Sequence, residues 1–167
     1  GAGEATGQSE FTEIGLLTLE WLVALQTAEA GHFVSVGSNG FYTRGMARAR
    51  FDQQPIEAYV SVSACLTTQR ITADLRWHRE AERAFEWFLG RNDLGLPLCD
   101  VRTGGCHDGL CPDQVNANQG AESTLSYLLA VAEMRMAAQT SLLPACSSTP
   151  TDSSRTTSKG IHVGQTV

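Results

Sequence analysis

At 167 residues, 42% hydrophobic and 18% charged, the chain is long enough for one domain with a substantial core and too short for two of ordinary size. A formal net charge of -6, with Lys159 the single lysine, excludes the clustered basic surface that nucleic acids and anionic membranes require. No apolar run approaches the roughly 18 residues of a membrane-spanning helix, because LLTLEWLVAL contains Glu20 and continues into Gln26 and Glu29.

The start, GAGEATGQSE, has neither the basic nor the apolar region of a signal peptide and no initiator Met, so residues 1–9 read as the ragged edge of a piece cut from a longer protein. Residues 10–138 read as one helical domain. Phe11, Ile14, Leu17, Trp21 and Leu25 recur at helical spacing and predict a helix over 10–29, with Glu10 and Glu13 at its positive end and Gly31 ending it. GHFVSVGSNGFYTRG then alternates apolar and polar residues, predicting a short β-hairpin with its turn at Asn39-Gly40. Arg44, Arg48 and Arg50 follow, suited to helix-flanking salt bridges or to an anion.

Pro55 suits the first turn of a second helix, about 55–69, which is lined with the small residues Ala58, Ser61, Ser63 and Ala64. A third helix, capped near Thr72 or Asp74 and ending at Gly90, carries Leu75, Ala81, Phe85 and Phe88 on one side. A Gly- and Pro-bearing loop over 91–118 precedes a fourth helix, AESTLSYLLAVAEMRMAAQ. From 139 to 167 the chain turns Ser/Thr-rich and aperiodic, the composition of a disordered tail.

The expected fold is all-α: antiparallel helix hairpins with long polar loops, charged outer helices alternating with small-residue inner ones, as in part of an (α/α) toroid. FDQQP and GGCHDG…NANQGAES each precede an inner helix, so both loops should emerge at one end and share a pocket. Such a pocket offers Gln53, Gln54, Glu57, Asn116, Asn118 and Gln119 as ligand groups, the amide-rich set that holds sugar hydroxyls. The rings of Phe33, Phe41, Tyr42, Phe51 and Trp77 are near in sequence to pack on sugar faces. Helix capping by Asn116, Asn118 and Glu122 is the competing explanation of the same residues. Asp52 and Asp108, or Glu57 and Glu122, are candidate catalytic pairs for acid/base chemistry if their carboxyls lie roughly 5–9.5 Å apart across a glycosidic bond.

Five cysteines, with Cys65 inside an apolar helical pattern, do not form a secreted disulfide framework, and a reducing cytoplasm is the expected setting. Cys99, Cys106, His107 and Cys111 match no paired zinc hook, so free thiols in a tight loop are expected, with neither metal nor cofactor.

The motif string GHF..VG..GF..RG…FDQQPIEA, AF.WFLGRND…L.D..TGGC.DGL and VN.NQGAEST.S.LLA, spread over about residues 10–137, resembles the helical C-terminal region of bacterial mannosyltransferase-like, retaining glycosyltransferases. More distantly it resembles the six-hairpin (α/α) toroids of glycosidases and sugar epimerases. The resemblance implies a carbohydrate-related module beside a nucleotide-sugar-binding domain, of which this chain shows no βαβ trace. Transferase activity is therefore not expected of this piece, and any activity should be a sugar-active one using carboxylates. At Cys99 and His107 the loop departs from the pattern, so an altered loop is expected there. A two-hairpin piece exposes an inner flank, which predicts a homodimer; the alternative is a non-catalytic structural domain packing on a partner domain.

Overall fold

The computed structural model describes residues 1–142, so most of the tail expected from 139 onward lies outside the described residues. The fold is helical: α1 (Ala2–Thr6), α2 (Ser9–Leu25), α3 (Pro55–Thr72), α4 (Arg76–Glu86) with a 3-10 turn at Trp87–Leu89, and α5 (Ala121–Leu142). No described helix is long and apolar enough to cross a membrane. The short α1, where a ragged edge was expected, folds on α2: Gly3 is buried there, and a Cβ on it would stand 2.7 Å from the Thr12 nitrogen.

The second and third predicted helices start close to where their caps stand in the sequence. Pro55 opens α3, and Asp74 caps α4 by accepting the Arg76 N–H at 2.9 Å. Ala73, in the left-handed region at φ 56°, turns α3 into α4 within three residues. The two helices run antiparallel, with Gln69 Oε1 3.1 Å from His78 Nδ1. The small side chains predicted for α3 explain its central position. Ala58 and Ser61 are buried, and α3 packs closely against both α4 and α5.

Trp77, Trp87, Phe88, Phe33, Leu98 and Leu110 fill the middle of the core, with Val62, Cys65 and Leu66 of α3 and Ala130 of α5 around them. Trp87 meets Phe88 edge-on at 5.3 Å, and Phe88 meets Tyr127 at 5.5 Å. Two members of the expected α4 stripe hold, Ala81 and Phe88; Leu75 is exposed and Phe85 only half-buried.

Three expectations are corrected. The first helix ends at Leu25, because the Thr27 hydroxyl takes the Val23 carbonyl at 2.6 Å and the Gln26 carbonyl is taken by Val34 N–H and Arg83. Gly31, at φ 85°, instead makes the tight turn that brings Phe33 back beside Thr27. The predicted apolar stripe of that helix also faces outward: Phe11 is 47% exposed, Ile14 54%, Leu17 67% and Trp21 52%. The helix is apolar on two sides, and the other one, Leu16, Leu19 and Val23, meets the core. Finally, α5 runs to Leu142, three residues beyond the helix expected over 121–139.

Over 32–54 the backbone makes isolated bridges and turns, with no strand ladder among the described residues. The chain does reverse at Ser38–Gly40, and the loop is pinched at its base: Gly37 N–H bonds Ala49 O at 2.9 Å, and Ala49 N–H bonds Phe41 O at 2.9 Å. Gly37 is required there, since a Cβ would come 2.6 Å from the Phe51 nitrogen.

Gly37→Ala should therefore destabilise the protein by about 1–3 kcal/mol through this backbone clash. Leu17→Gln, on the outward side of α2, should change stability by no more than about 0.5 kcal/mol. Thermal denaturation of the two variants checks both expectations; a large loss from Leu17→Gln would show that its face is covered.

Candidate functional site

The two polar loops meet. Gln53 and Leu110 exchange both backbone hydrogen bonds, at 3.1 and 2.9 Å, joining the FDQQP segment to the loop that carries GGCHDG. The second loop is then folded on itself. Asp108 N–H donates to Asn118 O at 2.9 Å, Asn116 N–H to Gly109 O at 2.9 Å, and Cys111 N–H to Gln114 O at 2.9 Å. Asp52, Gln53, Gln54, Asp108, Gly109, Leu110, Cys111 and Asn116 surround a shallow depression of about 100 Å³. That space holds only a few waters, so a larger ligand would rest over it rather than inside it.

Gln53, expected as a ligand group, is completely buried. Its Oε1 accepts the Trp87 indole N–H at 2.8 Å, and its Nε2 donates to Arg50 O and to Asp93 Oδ2, both at 2.8 Å. The amide is fully used, so Gln53 is a structural staple and not a ligand group. Asp93 continues the network, its Oδ1 lying 3.1 Å from His32 Nε2 and 3.4 Å from Arg50. Trp77 and Phe33 are buried in the core and offer no face to a sugar; Phe41 is exposed, and Tyr42 and Phe51 are half-exposed.

Asp108 Oδ1 accepts the Gly120 N–H at 2.6 Å, placing a carboxylate at the positive end of α5. Capping of the fourth helix is thus done by Asp108 from twelve residues away, while Asn116 Oδ1 accepts the Asn118 N–H at 3.1 Å in a local turn. Gln119 is exposed but engaged: its Oε1 accepts the Thr103 hydroxyl at 2.8 Å and its Nε2 donates to Asp100 Oδ2 at 3.2 Å. Asp100 also accepts the Arg102 N–H at 2.9 Å, which holds its carboxyl below the ordinary range. Much of the polar cluster in NANQG therefore stabilises its own loop. Gln54, Asn118 and Glu122 are exposed, and their side chains make no hydrogen bond among the described residues.

The candidate catalytic residues separate. Asp52 and Asp108 line the same depression, while Glu57 and Glu122 do not. Asp52 sits in the left-handed region at φ 49°, a conformation Asp tolerates better than most residues. Its carboxylate faces the Cys111 thiol, which burial, followed by this carboxylate, pushes up. Glu57 lies in the first turn of α3 with Oε2 buried and unpaired. Burial pushes its carboxyl up, and the neighbouring Ser35 hydroxyl opposes this only in part.

Sequence reasoning missed the network of Trp87, Asp93, His32 and Arg50. The string WFLGRND contained two of its members, and Asn92 beside them organises the next turn by donating to Trp87 O and Leu96 O at 3.0 and 2.8 Å. Among the described residues no cluster of three or more His, Cys, Asp or Glu can hold a metal. Cys111 lies by Asp52, while Cys99 and Cys106 pair with each other across a bridge. No family model matches this chain, and a search of curated proteins finds no match either, so its function has to be read from geometry.

Gln53→Ala should destabilise the fold by about 3 kcal/mol, since it strands the Trp87 N–H and removes a donor from Asp93; urea denaturation measures it. The Glu57 carboxyl is raised in the folded protein above its ordinary 4.5, so the native state holds the proton more tightly than the unfolded chain. Stability should consequently fall as pH rises from 4.5 toward the raised value, and Glu57→Gln should flatten that part of a melting-temperature profile. An unchanged slope in Glu57→Gln would contradict it.

Proposed function

We propose that this chain is a carbohydrate-binding or carbohydrate-processing helical module, with its saccharide resting over the depression between the 52–54 and 108–116 loops. One observation carries the reading: the Gln53–Leu110 backbone pair brings Asp52 and Asp108 to a single depression with the exposed Gln54 and Asn116 beside them. A shallow polar surface with two carboxylates and exposed amides suits hydroxyl groups, which both donate and accept. Phe51 is the accessible ring nearest in sequence to Asp52. If the module acts on its sugar, Asp52 and Asp108 form the acid/base pair, and their separation sets a retaining or an inverting outcome.

We take the module to be part of an (α/α) toroid of the six-hairpin kind, associated with a glycosyltransferase domain. α3 is packed on both sides as an inner helix would be, while α2 and α5 each leave apolar residues open, Leu17 and Trp21 on one and Leu125 and Leu128 on the other. Those faces fit neighbouring hairpins or a second copy.

A second reading, a non-catalytic domain that packs on a partner domain, draws on the same α2 stripe and on an apolar groove of about 590 Å³ between α2 and α3, lined by Phe11, Leu16, Tyr59 and Ile71.

Titration of the protein with a panel of mannose- and glucose-containing oligosaccharides, followed by NMR shift mapping, separates the two. Carbohydrate binding predicts saturable shifts at residues 52–54 and 108–118. It also predicts at least about tenfold weaker binding in Gln54→Ala and Asn118→Ala, corresponding to about 1.4 kcal/mol, at an unchanged melting temperature. No saturable shift with any oligosaccharide leaves the partner-domain reading.

A further inference from the structure

Cys99 and Cys106 form an antiparallel bridge of the non-hydrogen-bonded type. The hydrogen bonds flank the pair, Asp100 N–H to Gly105 O at 2.9 Å and His107 N–H to Leu98 O at 2.8 Å, leaving the two cysteines directly opposite each other. In such pairs the Cα atoms stand about 4.5 Å apart with side chains on the same face, inside the roughly 4.4–6.8 Å range that a disulfide spans. The turn between them is already clamped by Gln119, which binds both Asp100 and Thr103, so closing the bond requires side-chain rotation and little backbone movement. Both thiols are free, and Cys106 Sγ rests on the His107 carbonyl at 3.4 Å.

We infer that Cys99 and Cys106 are an oxidation site, a dithiol that a small-molecule disulfide converts to an intramolecular disulfide across the base of the 100–105 turn. Cys99 is partly exposed and Cys106 fully buried, so the order of events is set by access. The Cys99 thiolate attacks one sulfur of the oxidant, forming a mixed disulfide and releasing one thiolate. The Cys106 thiolate then attacks the Cys99 sulfur, forming the protein disulfide and releasing the second thiolate. Two protein thiols are oxidised, the oxidant is reduced to two thiols, and the two cysteine protons end on them. Burial pushes the Cys106 thiol up to about 12, which makes the second step slow and accelerates it as pH rises. His107 and Asp108 follow directly in the chain, so the bond would fix the segment leading into the depression. This inference does not depend on a carbohydrate ligand.

The test is treatment of the native protein with oxidised glutathione across pH 7–9, alkylation of remaining thiols, trypsin digestion and fragmentation mass spectrometry. Cleavage after Arg102 separates the two cysteines, so the expected product is the peptide 92–102 linked to 103–135, about 2 Da lighter than the summed thiols, with fragments assigning Cys106. Its formation should accelerate with pH and disappear in Cys99→Ser, a variant outside the buried core. The inference is overturned if Cys99 remains alkylatable, stops as the glutathione mixed disulfide at every pH, or bridges to Cys111 instead.

Discussion

The architecture of the loop end depends on one side chain. Gln53 is a neutral amide sealed from water, and an amide buried without partners costs more than its packing returns. Here all of its hydrogen-bonding groups are used, by a Trp87 indole, an Arg50 carbonyl and an Asp93 carboxylate, while its backbone pairs with Leu110. The same residue thereby ties four separate segments: the 50–53 turn, the end of α4, the loop after it, and the loop before α5. Asp52 and Asp108 share a depression because the backbone of this residue pairs the two loops that carry them.

The surrounding elements have divided work. Helix α3 supplies small side chains so that α4 and α5 can approach, and the tryptophans after and within α4 fill the space left over. Asp108 completes the start of α5, and Gln119, just ahead of that helix, reaches back to secure the 100–105 turn. Polarity concentrated before a helix thus serves first to hold an irregular loop in one shape. What remains exposed without a side-chain hydrogen bond among the described residues, Gln54, Asn118 and Glu122, is the part whose presence the loop itself does not explain.

The sequence was most legible where local chemistry decides. Pro55 and Asp74 mark helix starts by rules that act within a few residues, and those starts are observed. The meeting of the two loops was also legible, because both lead into helices lying side by side. Burial was harder to read. Gln53 and the neighbouring Gln54 have the same composition, yet one is sealed and the other open, and the partners that distinguish them include Trp87 and Asp93, thirty-four and forty residues away. Helix α2 offers two apolar faces of similar strength, so periodicity alone could not select Leu16 and Leu19 over Leu17 and Trp21. The cap on α5 comes from a residue twelve positions upstream, beyond the reach of any local capping rule.

The pinched loop between Gly37 and Phe51 has a bearing on sequence divergence. Its base is closed by the Ser38 N–H to Asp52 O bond and by the Gly37–Ala49 and Ala49–Phe41 bonds, while residues 43–47 project into solvent. Lengthening a surface loop beyond a closed neck costs only a slowly growing entropy and leaves the neck unmoved. The tip is accordingly where insertions, fused peptides or a reporter tag should be accommodated with Asp52 held in register, whereas a single added residue between Ala49 and Gln53 would shift everything downstream.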